Sequence, residues 1–231
     1  MLRFEDVVLQ QGDFTLRADW PVASGAKLAV IGPSGSGKST LLLAVAGFLP
    51  PMQGRILWQG QDLAVLPPGA RPVTMLFQDQ NLFPHLTVAQ NIGLGLSPRL
   101  RLTTQDHDSI ARALDRVGLP EMAQRRPGAL SGGQMARVAL ARALLRARPI
   151  LLLDEPFSAL GPALKDEMLD LVTGVAQDTG ALVMMVSHDP GDAQRFADQT
   201  VLVADGIACT PTPTSDLFAN PPPALRTYLG S

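Results

Sequence analysis

A nine-residue run, Gly32-Pro33-Ser34-Gly35-Ser36-Gly37-Lys38-Ser39-Thr40, constrains this chain more than any other segment. It fits the pattern G-x-x-x-x-G-K-[ST] in full, in a context that gives the pattern physical force. Upstream, the short apolar stretch Lys27–Ile31 predicts a strand. Downstream, Leu41–Ala46 predicts a helix that Gly47 ends. Glycines at a strand-to-helix turn let backbone N–H groups wrap an anion at the positive end of a helix dipole. Lys38 adds a compact positive charge suited to the β- and γ-phosphates of a nucleotide, and the Ser39 hydroxyl is the expected Mg2+ ligand. The run therefore predicts an α/β sheet whose strands bind phosphate at their carboxyl ends.

A second glycine-rich turn, Leu130-Ser131-Gly132-Gly133-Gln134, runs into a helical stretch, Met135–Ala147, rich in Ala, Leu and Arg. Ser131 is a good N-cap, and Gly132 and Gly133 admit a ligand close to the backbone. One nucleotide rarely needs two phosphate-binding helix starts from one subunit. The expectation is that two chains share each nucleotide, with Ser131 to Gln134 acting in trans.

Two carboxylates follow the apolar strand Ile150–Leu153, in Asp154-Glu155-Pro156. At a strand's carboxyl end Asp154 would hold Mg2+, and Glu155 would orient and deprotonate an attacking water. The plainer reading, a proline-terminated strand with solvated acids, loses its appeal beside an intact phosphate loop. Gln78 ends the expected strand Val73–Phe77, where a neutral amide could sense the metal or the attacking water. His188, in Ser187-His188-Asp189 after the strand Ala181–Val186, suits a γ-phosphate contact. His85 and His107 have no comparable placement and are assigned nothing.

With 231 residues, 46% of them hydrophobic, the chain can build one large core and a satellite subdomain. A net charge of −2 offers no basic footprint for nucleic acid. The one cysteine, Cys209, fits a reducing compartment and reads as a small buried apolar residue. The acidic start Met1–Asp6 does not resemble a signal peptide, and the apolar runs are too short to span a bilayer. The chain is expected in the cytosol, reaching a membrane only through a partner. Phe14, Leu16, Ala18 and Trp20 alternate with polar residues, as in a half-buried antiparallel strand, and Gly54–Gln59 predicts another. Between Asn81 and Ala129 the texture is helix and loop. Thr103-Thr104-Gln105-Asp106 reads as a capping box, with Ile110, Ala113, Leu114 and Val117 as an apolar core stripe before Gly118 and Pro120. Ile150–Leu153, Ala181–Val186 and Thr200–Ala204 read as parallel strands buried on both faces. The tail Thr210–Ser231 predicts one short helix capped by Ser215.

The phosphate loop, Gln78, the Leu130–Gln134 turn, the Asp154-Glu155 pair and His188 resemble, in order and spacing, the ATP-binding cassette (ABC) ATPases. The resemblance covers essentially the whole chain. It implies a P-loop NTPase with a RecA-like α/β core, an antiparallel β subdomain and an inserted helical subdomain. Core and β subdomain would comprise residues 1–78 and 136–210, the helical subdomain 79–135, and a short tail 211–231. It further implies ATP and Mg2+ as cofactors and head-to-tail dimers, with Ser131 and Gly133 of one chain on the γ-phosphate held by Lys38 of the other. Glu155 would be the base, His188 and Gln78 would assist, and Ser39, Gln78 and Asp154 would serve the metal. The implied partners are a two-fold transmembrane permease and, indirectly, a periplasmic substrate-binding protein, with no nucleic acid. The implied location is the cytoplasmic face of the bacterial inner membrane.

Within the family, Arg71–Gln78 and Leu86–Leu96, with Pro149–Leu160 and Val203–Gly206, are similar to the ATP-binding subunits of thiamine importers. Importers of polyamines or iron stand as the alternative. A soluble cassette ATPase acting on DNA or ribosomes is a further one, although the coiled-coil insertions, second cassette or basic stripes that such proteins carry are missing. The apolar segment Leu82–Leu86 is where a permease helix is expected to dock. Two positions depart from the family pattern: Gln11 stands where an aromatic residue usually stacks on adenine, with Phe14 the only ring nearby. Gly161 stands where an aspartate usually follows Ser158-Ala159-Leu160.

Overall fold

The structure, a computed structural model, describes residues 1–77, 79 and 81–230; Gln78, Gln80 and Ser231 lie outside the described residues. An antiparallel hairpin of β1 (Leu2–Gln11) and β2 (Phe14–Val22) opens the chain, followed by β3 (Lys27–Ile31) and α1 (Lys38–Ala46). Next come β4 (Gln53–Trp58), β5 (Gln61–Asp62) and β6 (Val73–Leu76). The helical region holds α2 (Val88–Gly93), α3 (Thr104–Arg116) and α4 (Gly132–Leu145). The chain then returns through β7 (Ile150–Asp154), α5 (Pro162–Thr179), β8 (Leu182–Val186), α6 (Pro190–Phe196) and β9 (Gln199–Ala204). It finishes with β10 (Ile207–Ala208), β11 (Thr212–Pro213), α7 (Thr214–Ala219) and α8 (Pro223–Leu229).

The strand order is β5-β4-β1-β2-β10-β9-β3-β8-β7-β6, with β11 beside β9. β9, β3, β8, β7 and β6 pair in parallel, whereas β5, β4, β1 and β2 form an antiparallel wing. Successive residues of a strand face opposite ways, and the parallel block is buried on both faces. Ile150, Leu152, Leu182, Met184, Leu28 and Val30 pack with α1 and the wing. Their neighbours Leu151, Leu153, Val183 and Met185 pack with α4 and α5, and Ala29 and Ile31 with α6 to α8. In the wing Leu16, Ala18, Trp20 and Val22 are buried while the residues between them are more exposed, as the alternation predicts. The Trp20 indole donates to the Ala208 carbonyl at 2.8 Å, which ties the wing to β10.

The expected apolar stripe of α3 packs with Val88, Ile92, Val138 and Ala141 into a separate small core. Thr103 and Asp106 cap α3 reciprocally, and Gly118 with φ +69° follows its end. Three local expectations need correction. Helix α4 starts at Gly132 rather than Met135, so both glycines of the turn sit in its first turn. Cys209 is exposed: it directly follows the two-residue β10, and residue type there yields to position. The tail has two helices: Ser215 lies inside α7 and bonds the Asp216 carboxylate instead of capping. A proline run masks α8 in the sequence, although Pro223 at its first position costs no helical hydrogen bond.

Candidate functional site

The phosphate-loop residues stand where strand β3 feeds α1. Gly37 caps α1 in the left-handed region, φ +99°, and a Cβ there would come within 2.6 Å of the Phe14 ring. Gly32 is more constrained still: a Cβ would lie 2.1 Å from the Val203 carbonyl oxygen of β9. Only glycine fits these two turns. Gly35 also has positive φ, while Pro33, Ser34 and Gly35 are exposed and Ser36 half-buried. The Ser36 hydroxyl oxygen is buried without a hydrogen-bond partner, which suits a loop built to receive acceptor oxygens.

Lys38 is buried and folds back on its own loop, donating to the carbonyls of Gly32 at 2.8 Å and Pro33 at 2.7 Å. Burial pulls its pKa below the ordinary lysine value, and the charges of Glu155 and Asp154 oppose the shift. Thr40, also buried, begins the packed face of α1. The far end of α1 is held by a residue that sequence reasoning used only for resemblance. The buried Arg71 guanidinium donates to the Ala44 and Val45 carbonyls, each at 2.9 Å, and to Leu66. A cation there satisfies the last carbonyls and complements the helix dipole.

Parallel pairing of β7 with β8, and of β8 with β3, brings the other candidates to the same end of the sheet. The Ser39 hydroxyl donates to Asp154 Oδ1 at 2.9 Å, so two of the three metal candidates meet across 115 positions of sequence. Burial raises the Asp154 pKa above the usual carboxylate range, with the Ser39 hydrogen bond opposing. Glu155, one residue past the strand, adopts φ +45° while its N–H donates to the Val186 carbonyl of β8. A left-handed glutamate is a strained backbone held by its surroundings, and such residues gather at functional sites. The conformation has no local sequence signal. It aims the carboxylate at His188, whose Nδ1 lies 3.2 Å from Glu155 Oε2. The third catalytic candidate, Gln78, lies outside the described residues.

A cavity of about 390 Å³ opens over this end of the sheet, lined by Gln11, Phe14, Ser34, Lys38, Thr40 and Glu155 among others. Phe14, packed against Gly37, thus joins the phosphate loop to the wing. The Leu130–Gln134 turn does not line this cavity. Ser131 caps α4 by accepting from the Gln134 N–H, and the Gln134 side chain accepts from the Ser131 N–H. This reciprocal box is legible as Ser-x-x-Gln and leaves Ser131 and Gly132 exposed. Gly133 is buried, and a Cβ there would strike Leu164 of α5 at 2.2 Å. Gly161 is the N-cap of α5, exposed and without a side-chain cap, and a Cβ at this position would meet nothing within 4 Å.

The profile of the family described as ABC transporter matches residues 16–158. The chain is 66% identical over 230 residues to the thiamine import ATP-binding protein ThiQ of Cereibacter sphaeroides, covering 100% of both chains. It is 55% identical over 231 residues to the protein of the same description in Ruegeria sp., again over 100% of both. Among solved structures, a dimeric ATP-binding cassette in a post-hydrolysis state with bound ADP and phosphate has a TM-score of 0.80 and 28% identity. That likeness covers 93% of this chain and 99% of the other. A component of an ABC transporter complex from Clostridium perfringens has a TM-score of 0.83 and 26% identity, covering 95% and 90%.

Proposed function

This chain belongs to the ABC transporter family, and on that premise we propose that it is the ATP-hydrolysing subunit of a bacterial thiamine importer. One observation carries the chemistry: the Lys38 loop, the Ser39–Asp154 pair and the Glu155–His188 pair converge on one end of the sheet. Full-length identity to proteins described as thiamine import ATP-binding subunits supports the cargo.

ATP phosphates enter the loop Gly32–Thr40, and Lys38 exchanges its bonds to the Gly32 and Pro33 carbonyls for phosphate oxygens. The orphaned Ser36 hydroxyl and the paired oxygens of Ser39 and Asp154 fit a phosphate bound with a hard cation. Mg2+ would be held by Ser39 and Asp154, with Gln78 as a further candidate, and would neutralise charge on the β- and γ-phosphates. Glu155 accepts a proton from the attacking water, and His188 contacts the γ-phosphate beside it. Adenine lies towards Gln11 and Phe14; where an aromatic side chain stacks on a base, the contact is worth about 1–3 kcal/mol.

Ser131, Gly132, Gly133 and Gln134 complete the site of a second copy in a head-to-tail homodimer. The dimeric cassette with ADP and phosphate supports that assembly. The chain is read as one cassette, with core and β subdomain in 1–78 and 136–210, a helical subdomain in 79–135 and a tail in 211–231. Among the described residues no helix is long and apolar enough to cross a membrane, so a two-fold permease supplies the membrane path. The dimer then works at the cytoplasmic face of the inner membrane, with a periplasmic binding protein delivering cargo to the permease. The docking segment is Leu82–Leu86. Buried Asn91 shapes it by donating to the Phe83, Leu86 and Thr87 carbonyls and accepting from the Phe83 N–H, which leaves Phe83 46% exposed.

Uptake into vesicles carrying the partner permease and binding protein tests the reading. ATP-dependent accumulation of thiamine, but not of polyamines or iron, is expected. Uptake of a polyamine or iron in its place would contradict the cargo, and Phe83→Asp that still binds the permease would contradict the docking segment.

A further inference from the structure

The His188 loop is held by more than its strand. Ser187 Oγ donates to Asp192 Oδ2 at 2.6 Å and accepts from the Asp189 N–H at 3.0 Å. Lys165, on the first turn of α5, reaches Asp189 Oδ2 at 2.5 Å and Asp192 Oδ1 at 2.8 Å. These contacts fix the residues on either side of His188. Its own carbonyl is held from elsewhere: the Tyr228 hydroxyl donates to it at 2.5 Å, across 40 positions of sequence. Tyr228 sits on the last helix, α8, which fully buried Leu225 anchors against Ile31, Ala193, Leu202 and Leu217. The anchor therefore rests on the same strand, β3, that leads into the phosphate loop.

We propose that Tyr228 is a positioning residue for ATP hydrolysis, its hydroxyl holding the His188 backbone so that the imidazole stays against Glu155. His188 is otherwise exposed, with its ring 59% accessible, so packing alone does not fix its direction. A hydrogen bond from a phenol on an anchored helix restricts the loop without touching the nucleotide. The tail thereby becomes part of the catalytic geometry. The inference rests on the reading of Glu155 and His188 as members of the hydrolytic site.

Steady-state ATPase of the full chain decides it, comparing the parent with Tyr228→Phe, His188→Ala and the double variant. Tyr228→Phe keeps the ring and its packing, so it is expected to lower kcat about tenfold with KM for ATP within about twofold. In the His188→Ala background the same change is expected to add nothing, because a residue acting through His188 has nothing left to position. The chain has three histidines, so imidazole NMR signals give a second readout. In Tyr228→Phe the His188 signal is expected to move, while those of His85 and His107 stay. Parental kcat in Tyr228→Phe, a further multiplicative loss in the double variant, or an unmoved His188 signal would overturn the proposal. Should His188→Ala turn over too slowly to measure, the NMR signal decides alone. Parental kcat in His188→Ala would instead overturn the underlying reading of the site, and the proposal with it.

Discussion

At the carboxyl ends of β3, β7 and β8, five candidate side chains already meet one another or their own backbone: Lys38, Ser39, Asp154, Glu155 and His188. At the start of α4, by contrast, the Ser131–Gln134 turn satisfies only itself. Its exposed serine and glycine present a helix amino terminus to nothing in the described chain. The first region is an assembled half of a site with room for a nucleotide, and the second is the kind of group such a site would need opposite it. On the proposed reading, the contrast teaches that one chain would hold ATP and yet need a second copy to close over it.

The comparison can be broken from either side. The largest effect is expected from Glu155→Gln, which keeps the shape of the first region and removes its base. Loss of a general base costs about 10²–10⁴ in rate, so ATPase should collapse while an ATP-bound dimer accumulates on size-exclusion chromatography. Parental turnover would remove Glu155 from that role. Next comes Arg71→Met, which strips three carbonyls, two of them at the end of the phosphate-loop helix, of a buried charged donor. A loss of about 2–4 kcal/mol in urea unfolding is expected, since hydrogen bonds to charged groups are the stronger ones and these carbonyls lose that donor. Ser131→Ala acts on the second region and removes the α4 cap. Its expected cost is about 1 kcal/mol in unfolding, with an accompanying fall in ATP-dependent dimerisation. The smallest stability change belongs to Gly161→Asp. An aspartate would cap α5 in open space, for a gain of about 0.3 kcal/mol in the melting profile. The same change should alter the cooperativity or rate of ATP hydrolysis, because this turn lies between the carboxylates and α5. Identical ATP kinetics would show that Gly161 is neutral.

What the sequence makes legible follows the range of each interaction. The strand–loop–helix around Lys38 and the Ser131 cap are decided within a few residues, and both stand in the structure as the pattern implies. Alternation in β2 and the doubly buried parallel strands are likewise written in residue type. Glu155 is legible as a carboxylate at a strand end, but its left-handed backbone is not, because β8 imposes it through the Val186 carbonyl. Arg71, Asn91 and Tyr228 are equally silent. Each acts on carbonyls whose positions depend on tertiary packing, and no spacing rule encodes them. Cys209 departs from expectation because burial statistics speak for residue type, whereas the end of a two-residue strand is a matter of topology.

Mixing two inactive variants tests the shared site most directly. Lys38→Ala cannot hold the phosphates, and Ser131→Arg cannot close over those of its partner, so each homodimer should be inactive. A mixed dimer, however, unites the intact phosphate loop of one chain with the intact turn of the other. Random pairing makes half the dimers mixed, each with one of two sites whole, so ATPase should recover to about a quarter of the parental rate. A mixture that stays as inactive as its components would contradict the sharing of each nucleotide between two chains.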